Sequence, residues 1–198
     1  VAGATAENLR VAGPVAISNA IPGSLDRQRL PMTSVKARVD LGVDSQQLSD
    51  LRVALLKDAM LTGKGEFHPA DKTGRFDFDV AGLDLQAIHN ELKPTRLAGP
   101  LNVVLHPGGQ DVVLKLQDAQ YGIHADAAIT PEQVTLRQVS LTARKARLEL
   151  AGTLATVGAM EYAFKGKLAD FDPSLWVKTG KAPARSGSAA AATHPVTA

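Results

Sequence analysis

Hydrophobic and polar residues alternate along most of the chain. In the segment VKARVDLGV, residues 35–43, the odd-numbered positions are apolar, whereas Lys36, Arg38 and Asp40 are charged. A period of two places apolar side chains on one face of a β-strand and polar ones on the other. Strands of this kind are typical of antiparallel sheets with one dry and one wet face. The same alternation recurs in RFDFDV (75–80), VLKLQ (113–117), YGIHADAAI (121–129), ARLELAGTL (146–154) and EYAFKGKL (161–168).

Turn-forming residues separate these segments at short intervals. They lie at Pro22-Gly23, at residues 69–74, at residues 107–109 and at residues 130–132, and each combination favours a reversal of the chain. The pattern predicts an all-β fold, an antiparallel sheet of about 10–12 strands. A helical period is weak and predicts only minor helix: one short helix over residues 83–93, ended by Pro94, and part of residues 45–56.

The chain contains an internal repeat. The segment RVAGPVAI at residues 10–17 returns as RLAGPLNV at residues 96–103, and LTGKGEF at 61–67 aligns with LAGTLAT at 150–156. The unit of about 86–89 residues is longer than a helical repeat, so each copy comprises several elements. If the repeat is structural, Phe76 and Phe164 should occupy equivalent places on one face of the sheet, as should Leu61 and Leu150.

The repeat suggests a division of the chain into three parts. We expect residues 1–94 to form the first repeat and residues 95–177 to form a second repeat continuous with it. Residues 178–198 are rich in Ala, Gly, Ser and Pro and lack an apolar period, which predicts a flexible linker. A chain that begins at Val1 and ends in such a linker is expected to be a piece of a longer protein, with any anchor or targeting segment outside it.

Composition narrows the function classes. The chain is 44% hydrophobic and 21% charged, which is ordinary for a globular protein with a sizeable core. Its net charge of +2 comes from 22 basic and 20 acidic residues that are interspersed, so we expect no nucleic acid partner. The absence of cysteine excludes disulfides and thiolate chemistry.

Catalytic and metal-binding motifs are weak. The segment DKTG at residues 71–74 matches the start of a phosphorylated-aspartate motif, but it is better explained as a turn between strands. Gly63 and Gly65 belong to the apolar side of a strand, where a bulge or close packing would explain them. No histidine pair has ligand spacing and no serine lies in a G-x-S-x-G motif. We therefore expect no enzyme, no metal site and no cofactor.

Three features of the sequence remain: the segment SNAIPGSLDRQRLPM at residues 18–32, the repeated strands with L-x-G punctuation, and FDPSLW at residues 171–176. Together they resemble the AsmA-like family of bacterial envelope proteins. The resemblance covers residues 10–176. It implies a periplasmic protein anchored in the inner membrane by an N-terminal helix outside this sequence, with its sheet curled lengthwise into a β-taco, a U-shaped trough with a hydrophobic lumen.

The resemblance also implies a function. Members of the family are associated with phospholipid movement between the two membranes and with outer-membrane protein assembly, where a TamA-like barrel protein is the partner through a region outside this sequence. An amphipathic sheet must cover its dry face in any case, either with a second sheet or around a guest. The predicted groove lining is Val39, Leu41, Leu61, Phe76, Phe78, Val80, Leu114, Leu116, Ile123, Leu148, Leu150, Phe164 and Leu168.

Three function classes are therefore open. The first is a conduit that shields phospholipid acyl chains in the trough. The second is a scaffold or chaperone that lends strand edges to nascent outer-membrane barrels by β-augmentation. The third is a closed β-sandwich used for adhesion or carbohydrate binding. A conduit should retain phospholipid, a strand-lending scaffold should bind unfolded barrel peptides, and a closed sandwich should do neither.

Overall fold

The protein folds into one antiparallel sheet. A computed structural model describes residues 10–157, 161–170 and 172–178; the linker predicted from residue 178 onward lies outside these residues except for Lys178. The all-β prediction is confirmed, because these residues form eleven strands in one sheet whose order follows the sequence. The strands are β1 (Val11–Ser18), β2 (Met32–Leu41), β3 (Gln46–Leu55), β4 (Met60–His68), β5 (Thr73–Leu83), β6 (Leu97–His106), β7 (Gly109–Gln117), β8 (Tyr121–Ile129), β9 (Gln133–Ala143), β10 (Ala146–Ala155) and β11 (Tyr162–Ala169).

The sheet is curled and open. Within the described ranges, each strand pairs only with its neighbours in sequence, and the sheet is curled without closing into a barrel, in agreement with the predicted trough. Ten spacings of roughly 4.7 Å give a trough about 47 Å long. The strands form a single sheet, so the described residues do not build the two-sheet sandwich that the third function class requires.

Side chains from successive strands line up in rows across the sheet. Directly opposed residues of an antiparallel pair point to the same face, so the rows can be followed from strand to strand, and we call those of the apolar inner face ladders 1 to 4. Ladder 1 contains Val11, Leu41, Gln46, Phe67, Gly74, Leu105, Gln110, Ile129, Val134, Leu154 and Tyr162. Ladder 2 contains Gly13, Val39, Leu48, Gly65, Phe76, Val103, Val112, Ala127, Leu136, Gly152 and Phe164.

Ladders 3 and 4 lie on the side of ladder 2 that faces away from ladder 1. In each regular strand they are two and four residues from the ladder 2 residue. Ladder 3 contains Leu51, Gly63, Phe78, Leu101, Leu114, Ala125, Val139, Leu150 and Gly166. Ladder 4 contains Ile17, Val35, Val53, Leu61, Val80 and Gly99, and continues in the same register with Leu116, Ile123, Leu141, Leu148 and Leu168.

The helix predicted in residues 45–56 is wrong, because this segment forms β3. The register shifts between Leu48 and Leu51, and Asp50 has a φ of 52°. A β-bulge inserts an extra residue and so separates two inward residues by three positions instead of two. This spacing imitates a helical period. The helix predicted over 83–93 is shorter than expected, since α1 spans only Leu85–Ile88.

The internal repeat is partly reproduced in the sheet. Phe76 and Phe164 lie on ladder 2, as expected. Leu61 and Leu150 share the inner face but lie on ladders 4 and 3, so the prediction of equivalent places is wrong for this pair by one row. The two copies of the R-x-A-G-P segment lie in β1 and β6, which are five antiparallel steps apart and therefore run in opposite directions. The predicted boundary at residue 94 falls in the connection between β5 and β6.

The two rims of the trough differ. At the capped rim lie the connections 19–31, 56–59, 84–96, 118–120 and 144–145, together with the segment 172–178 that follows β11. At the open rim lie the turns 42–45, 69–72, 107–108 and 130–132, and the connection from β10 to β11. The central hydrophobic cluster of Val80, Leu97 and Leu116, against which Leu85 of α1 packs, lies near the capped rim.

Candidate functional site

The structure brings all thirteen predicted lining residues to one face. Leu41 belongs to ladder 1. Val39, Phe76 and Phe164 belong to ladder 2, and Phe78, Leu114 and Leu150 to ladder 3. Ladder 4 contains Leu61, Val80, Leu116, Ile123, Leu148 and Leu168. The thirteen residues come from seven of the eleven described strands, and the other members of the ladders extend this face across the remaining four.

Most of this surface is only half-buried. Of the thirteen residues, Val80 and Leu116 are buried, with 7% and 4% of their surface exposed. Leu41, Phe164 and Leu168 are exposed, and the remaining eight lie between these extremes. A sheet packed face to face on another would bury such residues almost completely. The inner face is thus an apolar groove that the described part of the chain leaves largely uncovered.

Three glycines of the groove each lie opposite a phenylalanine of the neighbouring strand. A side chain added at Gly65 would lie 2.0 Å from Phe76 Cδ1, one at Gly63 would lie 2.4 Å from Phe78 Cδ1, and one at Gly152 would lie 2.3 Å from Phe164 Cδ1. Each ring therefore lies over the glycine of the opposing strand, a pairing that fills the space a missing side chain leaves. Close packing, one of the two predicted reasons for Gly63 and Gly65, is correct, and it keeps the lining smooth.

The outer face of the sheet carries most of the charge. Arg137 of β9 donates hydrogen bonds to Asp111 of β7 and to Asp126 of β8, and these bonds raise the pKa of the guanidinium. Arg10 pairs with Asp40 in the same way at the opposite end of the sheet. Such exposed pairs contribute little to the free energy of unfolding, but they keep charge away from the groove.

The capped rim contains the residues that the sequence pattern did not single out. Asp84, which is 7% exposed, accepts hydrogen bonds from the backbone N–H groups of Gln86 and Thr95 and from Lys57 Nζ, at 2.9, 3.2 and 2.8 Å. Burial raises the pKa of the Asp84 carboxyl, but Lys57 and the two N–H groups lower it further, so the net direction is down. The carboxylate holds the connections β3–β4 and β5–β6 together.

Trp176 closes this rim from the other end of the chain. Its ring packs edge-on against Tyr121, with 5.1 Å between ring centroids, and the Tyr121 hydroxyl donates to the Leu175 carbonyl at 3.0 Å. The indole nitrogen Nε1 is buried and has no hydrogen-bond partner in the described structure. Only the resemblance of FDPSLW to a family motif drew attention to this segment, because its contacts lie more than fifty residues away.

Candidate chemistry elsewhere is sparse. The segment DKTG lies in the hairpin between β4 and β5, as predicted for a turn. His68 and His106 face single carboxylates at the surface, with 3.5 and 3.8 Å between nitrogen and oxygen, and His194 lies outside the described residues. Within the described ranges, no group of three His, Asp or Glu side chains could hold a metal ion, and no helix is both long and apolar enough to cross a membrane.

Comparison with known proteins adds no family. No protein-family model, curated protein or solved structure matches the chain. The resemblance to the AsmA-like family therefore stays a prediction, and any function rests on the geometry of the groove.

Proposed function

We propose that this chain is a periplasmic segment of an AsmA-like protein, most like TamB, the inner-membrane subunit of the translocation and assembly module. In this proposal the groove shields phospholipid acyl chains as they pass between the inner and outer membranes, in support of outer-membrane biogenesis. The observation that carries the proposal is the continuity of the apolar ladders across eleven strands. No catalysis and no cofactor is required, and a TamA-like partner would bind elsewhere in the longer protein.

The free energy of acyl-chain transfer favours such a surface. Each methylene group moved from water to an apolar site gains about 0.8 kcal/mol, so a sixteen-carbon chain in water is less stable by about 13 kcal/mol. A chain that lies along the ladders keeps most of this gain at every position. Both ends of the groove also expose apolar residues, with Ile17 of β1 54% exposed and Leu168 of β11 67% exposed. A bound chain could therefore extend past either end strand.

The test is to interrupt one ladder without changing the outer face. Leu148→Glu places a carboxylate on ladder 4 between Leu141 and Leu168, where an unpaired charge draws water or takes up a proton. The matched control is Glu149→Lys on the outer face of the same strand, where Glu149 forms only an exposed pair with Arg147. Phe164→Glu and Lys165→Glu provide a second pair on β11.

Native mass spectrometry of the purified chain is the measurement. We expect the wild type and both outer-face variants to retain phospholipid, and both inner-face variants to lose it while circular dichroism shows the same strand content. Equal lipid retention in all variants would contradict the proposal. Unfolding of the inner-face variants alone would indicate a tightly packed core instead of a groove.

One observation favours the scaffold function as a second candidate. Among the described residues, no strand pairs with the outer edge of β11, which exposes Tyr162, Phe164 and Leu168 on its inner side. The other edge strand, β1, carries Pro14, which cannot donate a backbone hydrogen bond. An unprotected edge favours the addition of a strand. Binding of unfolded barrel peptides, lost on replacement of Ala163 by proline in β11, would support this function, and no binding would contradict it.

A further inference from the structure

A recess at the capped rim adjoins the apolar groove. It has a volume of about 560 Å³ and lies between the β5–β6 connection, the β7–β8 turn and the β9–β10 turn. Its lining includes Lys93, Arg96 and Arg144, with Asp118 as the one carboxylate. The recess is therefore a concave site with an excess of positive charge.

The positive charge of this recess is not neutralised by ion pairs. None of the ion pairs among the described residues involves Lys93, Arg96 or Arg144. Asp118 accepts hydrogen bonds from the backbone N–H groups of Arg96, Gln120 and Tyr121, at 3.0, 2.8 and 2.8 Å, so its oxygens are occupied by the backbone. The Asp172 side chain accepts a hydrogen bond from the Ser174 N–H at 2.8 Å. The hydrogen bonds from Ser174, and to a smaller extent the charge of Lys93, lower the pKa of the Asp172 carboxyl, but Asp172 and Lys93 form no ion pair.

The backbone of each cationic residue is fixed in place. The N–H of Lys93 donates to the Trp176 carbonyl at 2.8 Å, and the N–H of Arg144 donates to the Gln120 carbonyl at 2.9 Å. Arg96 is held through Asp118. Arg144 also has a φ of 57°, a conformation that a long side chain rarely adopts outside turns. The three cationic side chains therefore project from backbone positions that are fixed relative to one another.

Tyr121 connects the recess to the groove. Its side chain lines the recess and also packs against the cluster of Val80, Leu97 and Leu116, of which Val80 and Leu116 belong to ladder 4. The Tyr121 hydroxyl donates to the Leu175 carbonyl and the ring packs edge-on against Trp176, so the side chain is held in place between the recess and the cluster. A molecule with an anionic head and an apolar tail could occupy both.

We propose that this recess binds an anionic phosphate group, and that the group is the head of a phospholipid whose acyl chains lie on ladder 4. The inference rests on the proposed function for the identity of the tail, but not for the anion site itself. Arg side chains form paired hydrogen bonds to phosphate oxygens and Lys supplies a point charge. Phosphatidylcholine carries the same phosphate, but its choline cation is repelled by Lys93, Arg96 and Arg144. The recess therefore prefers phosphatidylglycerol, whose head group is negatively charged overall, to the zwitterionic phosphatidylcholine.

The single tryptophan of the chain makes the test direct. Trp176 packs against Tyr121, so its fluorescence reports on ligands at this rim. The full chain is titrated with short-chain phosphatidylglycerol below its micelle concentration, with the matching phosphatidylcholine, and with glycerol phosphate. We expect phosphatidylglycerol to bind at least about tenfold more tightly than phosphatidylcholine, and glycerol phosphate to bind much more weakly than either lipid.

The key variant removes two cations and keeps the fold. Arg96→Gln with Arg144→Asn reduces the charge by two, and Asn tolerates the left-handed backbone at position 144. The control is Lys36→Gln with Arg52→Gln, an opposed and exposed pair on the outer face of β2 and β3, which changes the net charge equally. The rim variant should lose the preference for phosphatidylglycerol, and the control should keep it.

The outcomes separate the recess from the groove. If the rim variant still prefers phosphatidylglycerol, the recess proposal fails. The proposed function of the groove is not affected by that result, provided that both lipids still bind. If glycerol phosphate binds as tightly as phosphatidylglycerol, and only through the rim cations, the recess is a site for soluble phosphates and the lipid assignment is overturned. If the wild type shows no preference between the lipids, the recess does not bind the head group.

Discussion

The two rims of the trough are built from the same strands but by different means. At the open rim, short turns reverse the chain and the neighbouring ladder 1 includes Gln46, Gln110 and Gly74, so little apolar surface is buried there. At the capped rim, longer connections contact one another along the edge of the sheet, and Leu97 is completely buried. Hydrogen bonds join Asn90 to Asp26, and Lys93 to Trp176.

The difference indicates how a sheet can be stable while its inner face stays uncovered. An amphipathic sheet normally gains its stability by burying the whole apolar face. Here the fully buried residues concentrate at one rim, so stability and ligand binding rest on different parts of the same strands. Removal of groove side chains should therefore cost less stability than removal of side chains at the capped rim.

The largest expected effect is at Leu97. Leu97→Ala should lower the free energy of unfolding by about 2–5 kcal/mol, since a fully buried leucine leaves a cavity. Leu105→Ala, on the same strand and face but near the open rim, should cost about 1–2 kcal/mol because Leu105 is only half-buried. Urea denaturation of both variants measures the difference, and equal costs would contradict the contrast between the rims.

The next effect is at Asp84. Asp84→Ala leaves the backbone N–H groups of Gln86 and Thr95 without this acceptor and leaves Lys57 with Gln86 alone, and should cost about 1–3 kcal/mol. The counterpart at the open rim is Ser45→Ala, which removes the 2.7 Å hydrogen bond between Ser45 Oγ and Glu66 and should cost less than about 0.5 kcal/mol. Thermal unfolding of the two variants provides the comparison. A greater loss for Ser45→Ala would reverse the assignment of the stable rim.

The glycines of ladder 2 sharpen the comparison for the middle of the strands. Gly65→Ala should push the Phe76 ring aside and cost about 1–2 kcal/mol. Gly13→Ala, at the end of the same ladder, meets no atom within 4 Å and should leave stability within about 0.5 kcal/mol of the wild type. Chemical denaturation and the methyl and ring NMR signals of both variants would show the difference. A neutral Gly65→Ala would mean that the ring position is not fixed.

The smallest effect concerns pH at the capped rim. A hydrogen bond from Ser24 and contacts from Asn90 outweigh desolvation and lower the pKa of the Asp26 carboxyl from 3.8 to about 2. A depressed folded-state pKa stabilises the fold above the unfolded value, and this contribution is lost as pH falls through about 2. NMR titration of the Asn90 amide should therefore show a step with its midpoint near pH 2 that Asp26→Asn removes. A step in the variant would assign it to another group.

The period of two was sufficient to place the groove residues. Alternation alone assigns Val39, Phe78 and Leu150 to one face. In an antiparallel strand with one face in water, apolar residues occupy every second position, so the sequence shows which side chains point inward. The same approach failed for β3, where it predicted part of a helix. The extra residue of the β-bulge separates two inward residues by three positions, which resembles a helical period.

The capped rim could not be predicted in this way. Its contacts join residues far apart in sequence, such as Tyr121 with Trp176 and Asp26 with Asn90, and no local period records them. The repeated R-x-A-G-P motif also gave no information on the direction of its strands. β1 and β6 share a motif but run oppositely, because the first repeat contains five strands, an odd number, in an antiparallel sheet.

Continuity of the groove is the central claim, and site-specific photo-crosslinking tests it most directly. A photo-reactive residue replaces Phe78, Leu114 or Leu150, which lie on ladder 3 in β5, β7 and β10, or in turn their outward neighbours Asp79, Lys115 and Ala151. The account predicts that all three inner positions crosslink phospholipid and that the outer positions do not. Crosslinks at inner and outer positions alike, or none at any inner position, would contradict it.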